Sequence, residues 1–420
     1  FSPHDCPNLY ESFGTDDFDR IYCEYEDDES IPRITIGAQE LILDLLKERA
    51  ETGRIYIMNI DHCNTHSSFL DKVEMSNLCQ EITLPTKPIQ HIDDKEGEIA
   101  LCILSAINIG KIRGVDDLEE LCDLSVRSLD ELIDFQGYPV NAAEIATKAR
   151  RSLGVGFIGL AHYLAKQGVK YDDSEAWKLV HDLTEAFQYY LIKSSVNLAK
   201  EKGACEYSDR TKYAQGILPI DTYKKDVDEI VPNDLLLDWE SLRRDVQQYG
   251  IRNSTLSAQM PSESSSVVSN ATNGIEPPRD YLSVKKSKKG PLKQIVPSYG
   301  TLKNNYTLLW DMPSNVGYIN VVAVMQKFFD QAISGNWSYN PEHYEGSEVP
   351  TSVMAQDLLT TYKYGWKTSY YQNTYDNKTD EVESISMQEG SSEVGIQGHT
   401  QLENLISELE NVEECESCAI

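Results

Sequence analysis

The spacing of apolar residues along the chain predicts alternating helices and strands. Apolar positions recur at helical intervals in four segments, which are residues 36–49, 116–135, 141–152 and 174–202. Extended segments are predicted at 54–60, 77–84 and 99–109, and a polar loop at 61–68. The apolar run at 99–109 is nearly continuous, as expected of a strand that is buried on both faces. Helices and strands that alternate over this length favour an α/β architecture with parallel strands.

The composition changes near residue 376. Residues 376–420 contain twelve Asp or Glu, one Lys and no aromatic residue, which is too little apolar surface to offset the entropy lost on ordering. We therefore predict a folded body over residues 1–376 and a flexible acidic tail over 377–420. One part of the tail differs, because its apolar residues share a helical face and could dock against a partner; these are Leu402, Leu405, Ile406, Leu409 and Val412.

Charge and cysteine usage limit the class of protein. The net charge of −30 repels a phosphate backbone, so we expect no nucleic-acid polymer as a partner. No apolar run is long enough to span a membrane, and the first residues lack the features of a secretory leader. Nine scattered cysteines then indicate a reduced, cytoplasmic protein. The chain opens without methionine in what looks like the middle of a fold, so we expect it to be part of something larger.

The most chemically suggestive pattern is the sequence Asn77, Leu78, Cys79, Gln80, Glu81. In an extended segment Asn77, Cys79 and Glu81 would face one side, with Leu78 and Gln80 opposite. An amide, a thiol and a carboxylate facing one cavity suit a hydrogen-bond donor, a reactive sulfur and a general base. The pattern alone nevertheless favours the alternative, in which a buried cysteine packs as a small apolar residue.

Two further positions are ambiguous. Cys102 lies within the apolar run at 99–109, and spacing alone predicts that it is buried core. Tyr370 and Tyr371 are adjacent, which is typical of an edge strand or a packed surface rather than of redox chemistry.

Cys415 and Cys418 form a Cys-x-x-Cys pair at the end of the acidic tail. A zinc site would require two more ligands nearby, and a dithiol that exchanges reducing equivalents is the better interpretation. A flexible tail of this length spans roughly 35 Å, which allows the pair to visit a buried site and the surface. His62, Cys63 and His66 resemble metal ligands, but no carboxylate completes a known spacing, so we predict no metal.

A serine-rich helix start is predicted at residues 260–266, where Met and Pro precede Ser, Glu and further Ser residues. The exposed N–H groups and hydroxyls of such a start suit a phosphate. From pattern alone a simple helix cap or serine-rich linker is the favoured alternative.

The order of these signals along the chain closely resembles the large (alpha) subunit of class I ribonucleotide reductase. The resemblance runs from Phe1 to about Asn377 and resumes at the last residues. It is carried by the segments at 54–56, 61–66, 77–82, 100–102, 216–223, 260–265, 270–279 and 370–373, together with the terminal cysteines.

The resemblance implies a ten-stranded α/β barrel, of which this chain holds the second half, with Cys79 on a central finger loop. Cys79 would form a thiyl radical that takes the 3′ hydrogen from a ribonucleoside diphosphate. Glu81 would remove the 3′-hydroxyl proton, and Asn77 would hydrogen-bond the sugar. Cys102 would be one member of the cysteine pair that is oxidised as the 2′-hydroxyl leaves. The substrate would lie along residues 77–81, and its diphosphate would be held by Pro261, Ser262, Glu263, Ser264 and Ser265.

The resemblance also implies partners. Tyr370 and Tyr371 would relay the radical from a separate small subunit that carries a metal-tyrosyl cofactor, so no cofactor is expected on this chain. Cys415 and Cys418 would re-reduce the buried disulfide and be recharged by thioredoxin or glutaredoxin. The second buried cysteine and the sites for nucleotide effectors would lie on an amino-terminal half, with which this chain must associate.

Two departures and two alternatives accompany this interpretation. The chain corresponds to little over half of a large subunit, and its terminal cysteines are more closely spaced than in bacterial relatives. A cobalamin-dependent reductase shares the thiol and the carboxylate, but the tyrosine pair favours a small-subunit route. A non-catalytic or decayed half-enzyme that serves only as an interaction module is disfavoured because every chemical position is occupied.

Overall fold

This computed structural model describes residues 1–287 and 290–375, with the side chains of 284–287 and 290–292 left aside. Cys415, Cys418 and the predicted docking helix lie outside the described residues. The described helices are α1 Pro7–Ser12, α2 Phe18–Asp27, α3 Ala38–Thr52, α4 Ile60–Thr65, α5 Asp117–Phe135, α6 Asn141–Arg150, α7 Leu160–Gln167, α8 Ser174–Lys202, α9 Pro219–Thr222, α10 Trp239–Tyr249, α11 Glu263–Val268, α12 Tyr299–Leu302, α13 Val316–Gln326 and α14 Thr351–Lys363. The strands are β1 Ile57–Met58, β2 Leu104–Asn108, β3 Gly154–Ile158, β4 Leu282–Ser287, β5 Gly290–Ile295, β6 Trp337–Tyr339, β7 Thr368–Ser369 and β8 Gln372–Thr374.

The long helices confirm the periodicity of the sequence. Helix α8 has the predicted bounds, and α5 differs from the predicted segment by one residue. Val180, Leu183 and Phe187 lie on one face of α8 and are fully buried, and each such burial contributes about 1.5–3 kcal/mol. Helix α8 ends before Gly203, whose positive φ of 87° favours glycine.

Mainly parallel pairings link the strands and neighbouring extended segments. Strand β2 pairs in parallel with β3, and β3 continues through a parallel bridge to Ser257. Gln259 then bridges in parallel to Ile333, and β6 pairs in parallel with β8. Strands β1 and β7 are antiparallel, with Ile57 opposite Ser369. The α/β architecture with parallel strands is therefore confirmed, while a closed barrel of ten strands stays a prediction.

Four local predictions are wrong or too long. The strand predicted at 99–109, with both faces buried, shortens to Leu104–Asn108, and within it only Ile107 is buried. The strand predicted at 54–60 shortens to Ile57–Met58, and the loop predicted at 61–68 is largely helix α4. The helix forms because His62 and Cys63 turn inward, where His62 Nδ1 bonds the Trp366 carbonyl at 2.9 Å. The segment predicted as extended at 77–84 begins with a turn, because the Gln80 N–H donates to the Asn77 carbonyl at 3.2 Å. Among the described helices, none combines the length and apolarity needed to cross a membrane.

Candidate active site

The site is built around residues 77–81, here called the thiol turn. Gln80 has a φ of 71°, which lets the chain reverse between Asn77 and Glu81. The Asn77 side-chain carbonyl accepts from the Ile82 N–H at 3.1 Å and closes the turn. The Ala332 N–H donates to the Glu81 carbonyl at 3.0 Å and ties the turn to the parallel strands.

Of the groups that strand alternation was expected to align, the turn brings Asn77 and Glu81 into contact. Asn77 Nδ2 lies 2.8 Å from Glu81 Oε2 and 3.7 Å from the Cys102 sulfur. The prediction that Cys102 is buried core is wrong, because its side chain is exposed and directed toward Asn77. Leu78 is 75 % exposed, whereas the Gln80 amide donates back to Ser76 Oγ at 2.8 Å. An amide, a carboxylate and a thiol therefore converge by turn geometry rather than by pleating.

Burial tunes the ionisable groups of this cluster. Burial raises the pKa of the Glu81 carboxyl, while hydrogen bonds from Asn77 and Ser334 act in the opposite direction. Burial also raises the pKa of the Cys102 thiol, and the Glu81 charge adds to that effect. A desolvated carboxylate held by an amide and a hydroxyl is suited to accept a proton from a bound hydroxyl group.

The tyrosine pair contacts the thiol turn at Cys79. Tyr370 Oη donates to the Cys79 sulfur at 3.6 Å, and the Tyr370 and Tyr371 ring centroids are 4.1 Å apart. Tyr370 is 5 % exposed, so the interpretation of the pair as an edge-strand surface is wrong for this residue. Burial raises the pKa of the Tyr370 phenol, whereas hydrogen bonds from Tyr370 and then Tyr56 lower that of Tyr371.

Tyr56 packs with Tyr370 and Tyr371, although no pattern in the sequence indicated it. Its ring lies 4.8 Å from Tyr370 and 5.5 Å from Tyr371, the latter edge to face. Tyr56 precedes β1, whose antiparallel register with β7 brings it opposite Tyr370. Fully buried Arg49 supports the arrangement by donating to the Tyr370 carbonyl at 2.9 Å, and burial lowers its pKa to about 10. This contact depends on the pairing of β1 with β7, which lie far apart in the sequence.

The serine-rich segment forms the helix start that the sequence predicts. Ser262 precedes α11 and is buried, with its hydroxyl donating to the Met260 carbonyl at 3.2 Å. Pro261, Glu263, Ser264 and Ser265 are exposed. The segment follows Gln259, whose parallel bridge to Ile333 lies one residue before Ser334 of the thiol site. The helix start and the thiol turn therefore lie at the same end of adjacent parallel segments.

The candidate metal ligands bond to the protein itself. His66 uses both ring nitrogens, toward Thr222 and the Gln326 carbonyl, and the Cys63 sulfur contacts the Lys367 carbonyl at 3.7 Å. Among the described residues, His181, Asp182 and Glu185 come within ligand distance of one another. Glu185 there accepts the backbone N–H groups of 236 and 237 and the Trp239 indole. We assign no metal to either group.

The site therefore belongs to an α/β protein with parallel strands, in which a thiol contacts a buried tyrosine of a tyrosine pair close to an amide–carboxylate pair. Comparison with known proteins gives the family. Residues 1–372 match the family model described as ribonucleotide reductase, barrel domain, and the chain belongs to that family.

The similar curated proteins are alpha subunits of ribonucleoside-diphosphate reductases. The chain is 59 % identical over 390 residues to the one from Haemophilus influenzae, covering 92 % of this chain and 52 % of that protein. It is 53 % identical over 402 residues to ribonucleoside-diphosphate reductase 1 subunit alpha of Escherichia coli, covering 94 % and 53 %. The subunit from Buchnera aphidicola of Schizaphis graminum is 54 % identical over 385 residues, covering 90 % and 50 %. The chain thus spans about half the length of these relatives.

Proposed function

We propose that this chain carries the radical and substrate centre of an enzyme that reduces ribonucleoside diphosphates to 2′-deoxyribonucleoside diphosphates. The observation that carries the proposal is the 3.6 Å contact from Tyr370 Oη to the Cys79 sulfur, beside the Asn77–Glu81 pair. A phenol in contact with a thiol is a route for a radical, and the neighbouring carboxylate supplies a base.

The radical step moves one hydrogen atom. An oxidised Tyr370, which lacks its phenolic hydrogen, takes the hydrogen atom from the Cys79 thiol and leaves a thiyl radical. The Tyr371 ring lies 4.1 Å from that of Tyr370 between centroids and Tyr371 is partly exposed, so it would pass the oxidising equivalent inward from a partner surface. We expect that partner to be a reductase small subunit with a metal-tyrosyl cofactor, and we assign no cofactor to this chain.

The substrate step uses the other members of the cluster. The Cys79 thiyl radical takes the 3′ hydrogen of the ribose, while Glu81 removes the 3′-hydroxyl proton and Asn77 hydrogen-bonds the sugar. The 2′-hydroxyl leaves as water, and two electrons come from a thiol pair that becomes a disulfide. Cys102 is one of these thiols, and its exposure toward Asn77 supports the assignment. The 3′ hydrogen then returns from Cys79, which regenerates the thiyl radical.

The serine-rich helix start is the proposed diphosphate site. Pro261, Ser262, Glu263, Ser264 and Ser265 follow a parallel segment that borders the thiol site. The backbone N–H groups and hydroxyls of this segment are donors that match phosphate oxygens. The base and sugar would then extend toward residues 77–81.

Full activity requires further components under this proposal. The chain spans about half of its relatives, and we propose that their amino-terminal portion supplies the second thiol and the effector sites, on the same or another polypeptide. Cys415 and Cys418 would reduce the disulfide that includes Cys102 and would be recharged by thioredoxin or glutaredoxin. A sample of this chain with small subunit and reductant, but without the amino-terminal portion, should form no deoxyribonucleotide.

Cys79→Ser tests the catalytic assignment. The reconstituted enzyme, meaning this chain with the amino-terminal portion and a small subunit, should lose turnover completely, because a serine hydroxyl does not yield a radical by transfer to a phenoxyl. Cys23→Ser provides the matched control, since Cys23 is an exposed thiol on α2. Turnover by the Cys79 variant above a tenth of the parent rate would reject the proposal.

The tail assignment has a separate test. With thioredoxin or glutaredoxin as reductant, the double variant Cys415→Ser, Cys418→Ser should make a single burst of product. A small dithiol that enters the site directly should restore repeated turnover. Sustained turnover with the protein reductants would contradict the role of the tail.

A further inference from the structure

Residues 334–336, here called the clamp segment, contact both the thiol turn and the tyrosine pair. They join Ile333, which bridges to Gln259, to strand β6. The sequence of this segment, Ser-Gly-Asn, shows no motif. Its importance comes from the partners that the fold places around it.

Ser334 contacts the thiol turn at two points. Its hydroxyl donates to the Cys79 carbonyl at 2.5 Å and lies 3.3 Å from Glu81 Oε2. Ser334 is 7 % exposed, so few water molecules can replace these contacts. The hydroxyl therefore touches the backbone of the radical-forming residue and the carboxylate of the proposed base.

The next two residues hold the tyrosines. The Gly335 carbonyl accepts from the Tyr370 N–H at 2.7 Å, and Asn336 Oδ1 accepts from the Tyr371 N–H at 3.1 Å. A side chain at Gly335 would place its Cβ 2.5 Å from the Trp366 ring, so the close packing of the segment against this ring requires glycine here. The Asn336 amide in turn donates to the buried Glu276 carboxyl. Three consecutive residues thus hydrogen-bond both the backbone of the tyrosine pair and the thiol turn.

We propose that Ser334 is a positioning residue, whose hydroxyl fixes the Cys79 backbone and the Glu81 carboxylate relative to each other for the reaction proposed above. This inference rests on the proposed function for its catalytic consequence, but the contact itself can be tested without turnover. The hydroxyl has a single proton, which lies between two acceptors, the Cys79 carbonyl at 2.5 Å and Glu81 Oε2 at 3.3 Å. Without it, both acceptors lose this shared donor, and the turn is free to shift toward the ribose or away from it.

Ser334→Ala in the reconstituted enzyme tests the catalytic consequence. A misplacement of up to about 1 Å costs up to about a hundredfold in rate, and we expect a ten- to hundredfold loss of kcat. Loss of a hydrogen-bond donor to the carboxylate should move the acid limb of the kcat profile up by about 0.4–1.1 pH units. The Glu81 charge acts on the neighbouring Cys102 thiol, which the Cys79 thiol also influences.

Two variants separate positioning from general loss of structure. Ser334→Thr keeps the hydroxyl and should restore both the acid limb and most of the rate. Ser338→Ala removes a hydroxyl four residues along, in β6, which accepts only from Asn373 at 3.4 Å among its described contacts. It should move neither measurement. If Ser334→Ala does not fold, Ser334→Cys supplies a weaker donor of similar size and should show the same shifts in smaller measure.

A carboxyl titration of the full chain provides a readout independent of activity. With ¹³C-labelled glutamate, and the Glu81 signal assigned by its absence in Glu81→Gln, Ser334→Ala should raise the Glu81 pKa and Ser334→Thr should not. An unchanged Glu81 titration overturns the contact whether or not the enzyme turns over. A shifted titration with an unchanged rate and pH profile overturns the catalytic role of Ser334 while leaving the proposed function in place.

Discussion

Replacement of Glu81 by glutamine is the most informative test of the proposed base. The amide oxygen of glutamine can still accept from Asn77 Nδ2, which lies 2.8 Å from Glu81 Oε2, and from Ser334 at 3.3 Å. The variant therefore keeps the shape and the acceptor role of the side chain but cannot take a proton. A positioned general base contributes about 10²–10⁴-fold, so kcat should fall by that factor, which corresponds to about 2.7–5.4 kcal/mol of barrier.

The stability of Glu81→Gln should move in the opposite direction. Burial raises the pKa of Glu81 in the folded chain, so the native state binds more protons than the unfolded state as pH rises toward and through that pKa. The charged carboxylate is consequently a net cost to folding at neutral pH, and a neutral glutamine should leave the chain as stable as the parent or more stable.

Two measurements are combined, both at about pH 7.5. One is deoxyribonucleotide formation by the reconstituted enzyme, and the other is urea unfolding of the full chain. Glu81→Asp serves as the companion variant, because it keeps the carboxylate but withdraws it by one methylene. The reasoning would be refuted if Glu81→Gln kept more than about a tenth of the parent kcat, given the 10²–10⁴ range. It would also be refuted if the loss of activity came with a large loss of stability.

Three further predictions concern the neighbouring structure. Tyr370→Phe removes the phenolic hydrogen and with it the residue that would oxidise Cys79, so turnover should be abolished, whereas Tyr362→Phe, whose hydroxyl bonds Asp61 at 2.6 Å, should leave product formation unchanged. Gln80→Val places a β-branched residue at a φ of 71° and should lower the free energy of unfolding by about 1–2 kcal/mol; Gln80→Gly should not, and equal urea midpoints for the two would reject the strain. Burial lowers the pKa of Lys367 to about 7 from 10.5, so the unfolded state binds more protons between these pH values and stability should rise with pH by at most about 1.4 kcal/mol per unit. Lys367→Met should remove this pH dependence of the free energy of unfolding, measured in urea from about pH 7 to about pH 10. A pH dependence that persists would exclude Lys367 as its source.

The sequence predicted helices α3, α5, α6 and α8 because their signals are local, whereas α10, α13 and α14 were not predicted. Helix α8 and helix α5 bury one face each, and a periodicity of 3.6 residues over many turns records which face that is. The parallel strand pair was predicted only in part, since β2 lies within the apolar run at 99–109, whereas β3 was not predicted as a strand. The short elements failed for the converse reason. Helix α4 has six residues with no helical repeat of apolar positions, and its inward face is set by the Trp366 and Lys367 carbonyls.

The sequence by itself determined which chemical groups the site contains. Asn77, Cys79, Glu81 and the tyrosine pair were recognisable from residue type and order, and their family resemblance agrees with the match over residues 1–372. Residue type and order are local properties, so one chain suffices to read them.

Only the tertiary structure decided how those groups meet. A positive φ at Gln80, rather than strand alternation, brings Asn77 onto Glu81, and strand register brings Tyr56 to Tyr370. Cys102 was expected in the core and instead faces Asn77, while Ser334 carried no signal at all. The physical reason is common to these cases. A hydrogen bond or ring contact between residues 25 (Asn77 and Cys102) to 314 (Tyr56 and Tyr370) positions apart depends on where the backbone places both partners, and no local pattern encodes that distance.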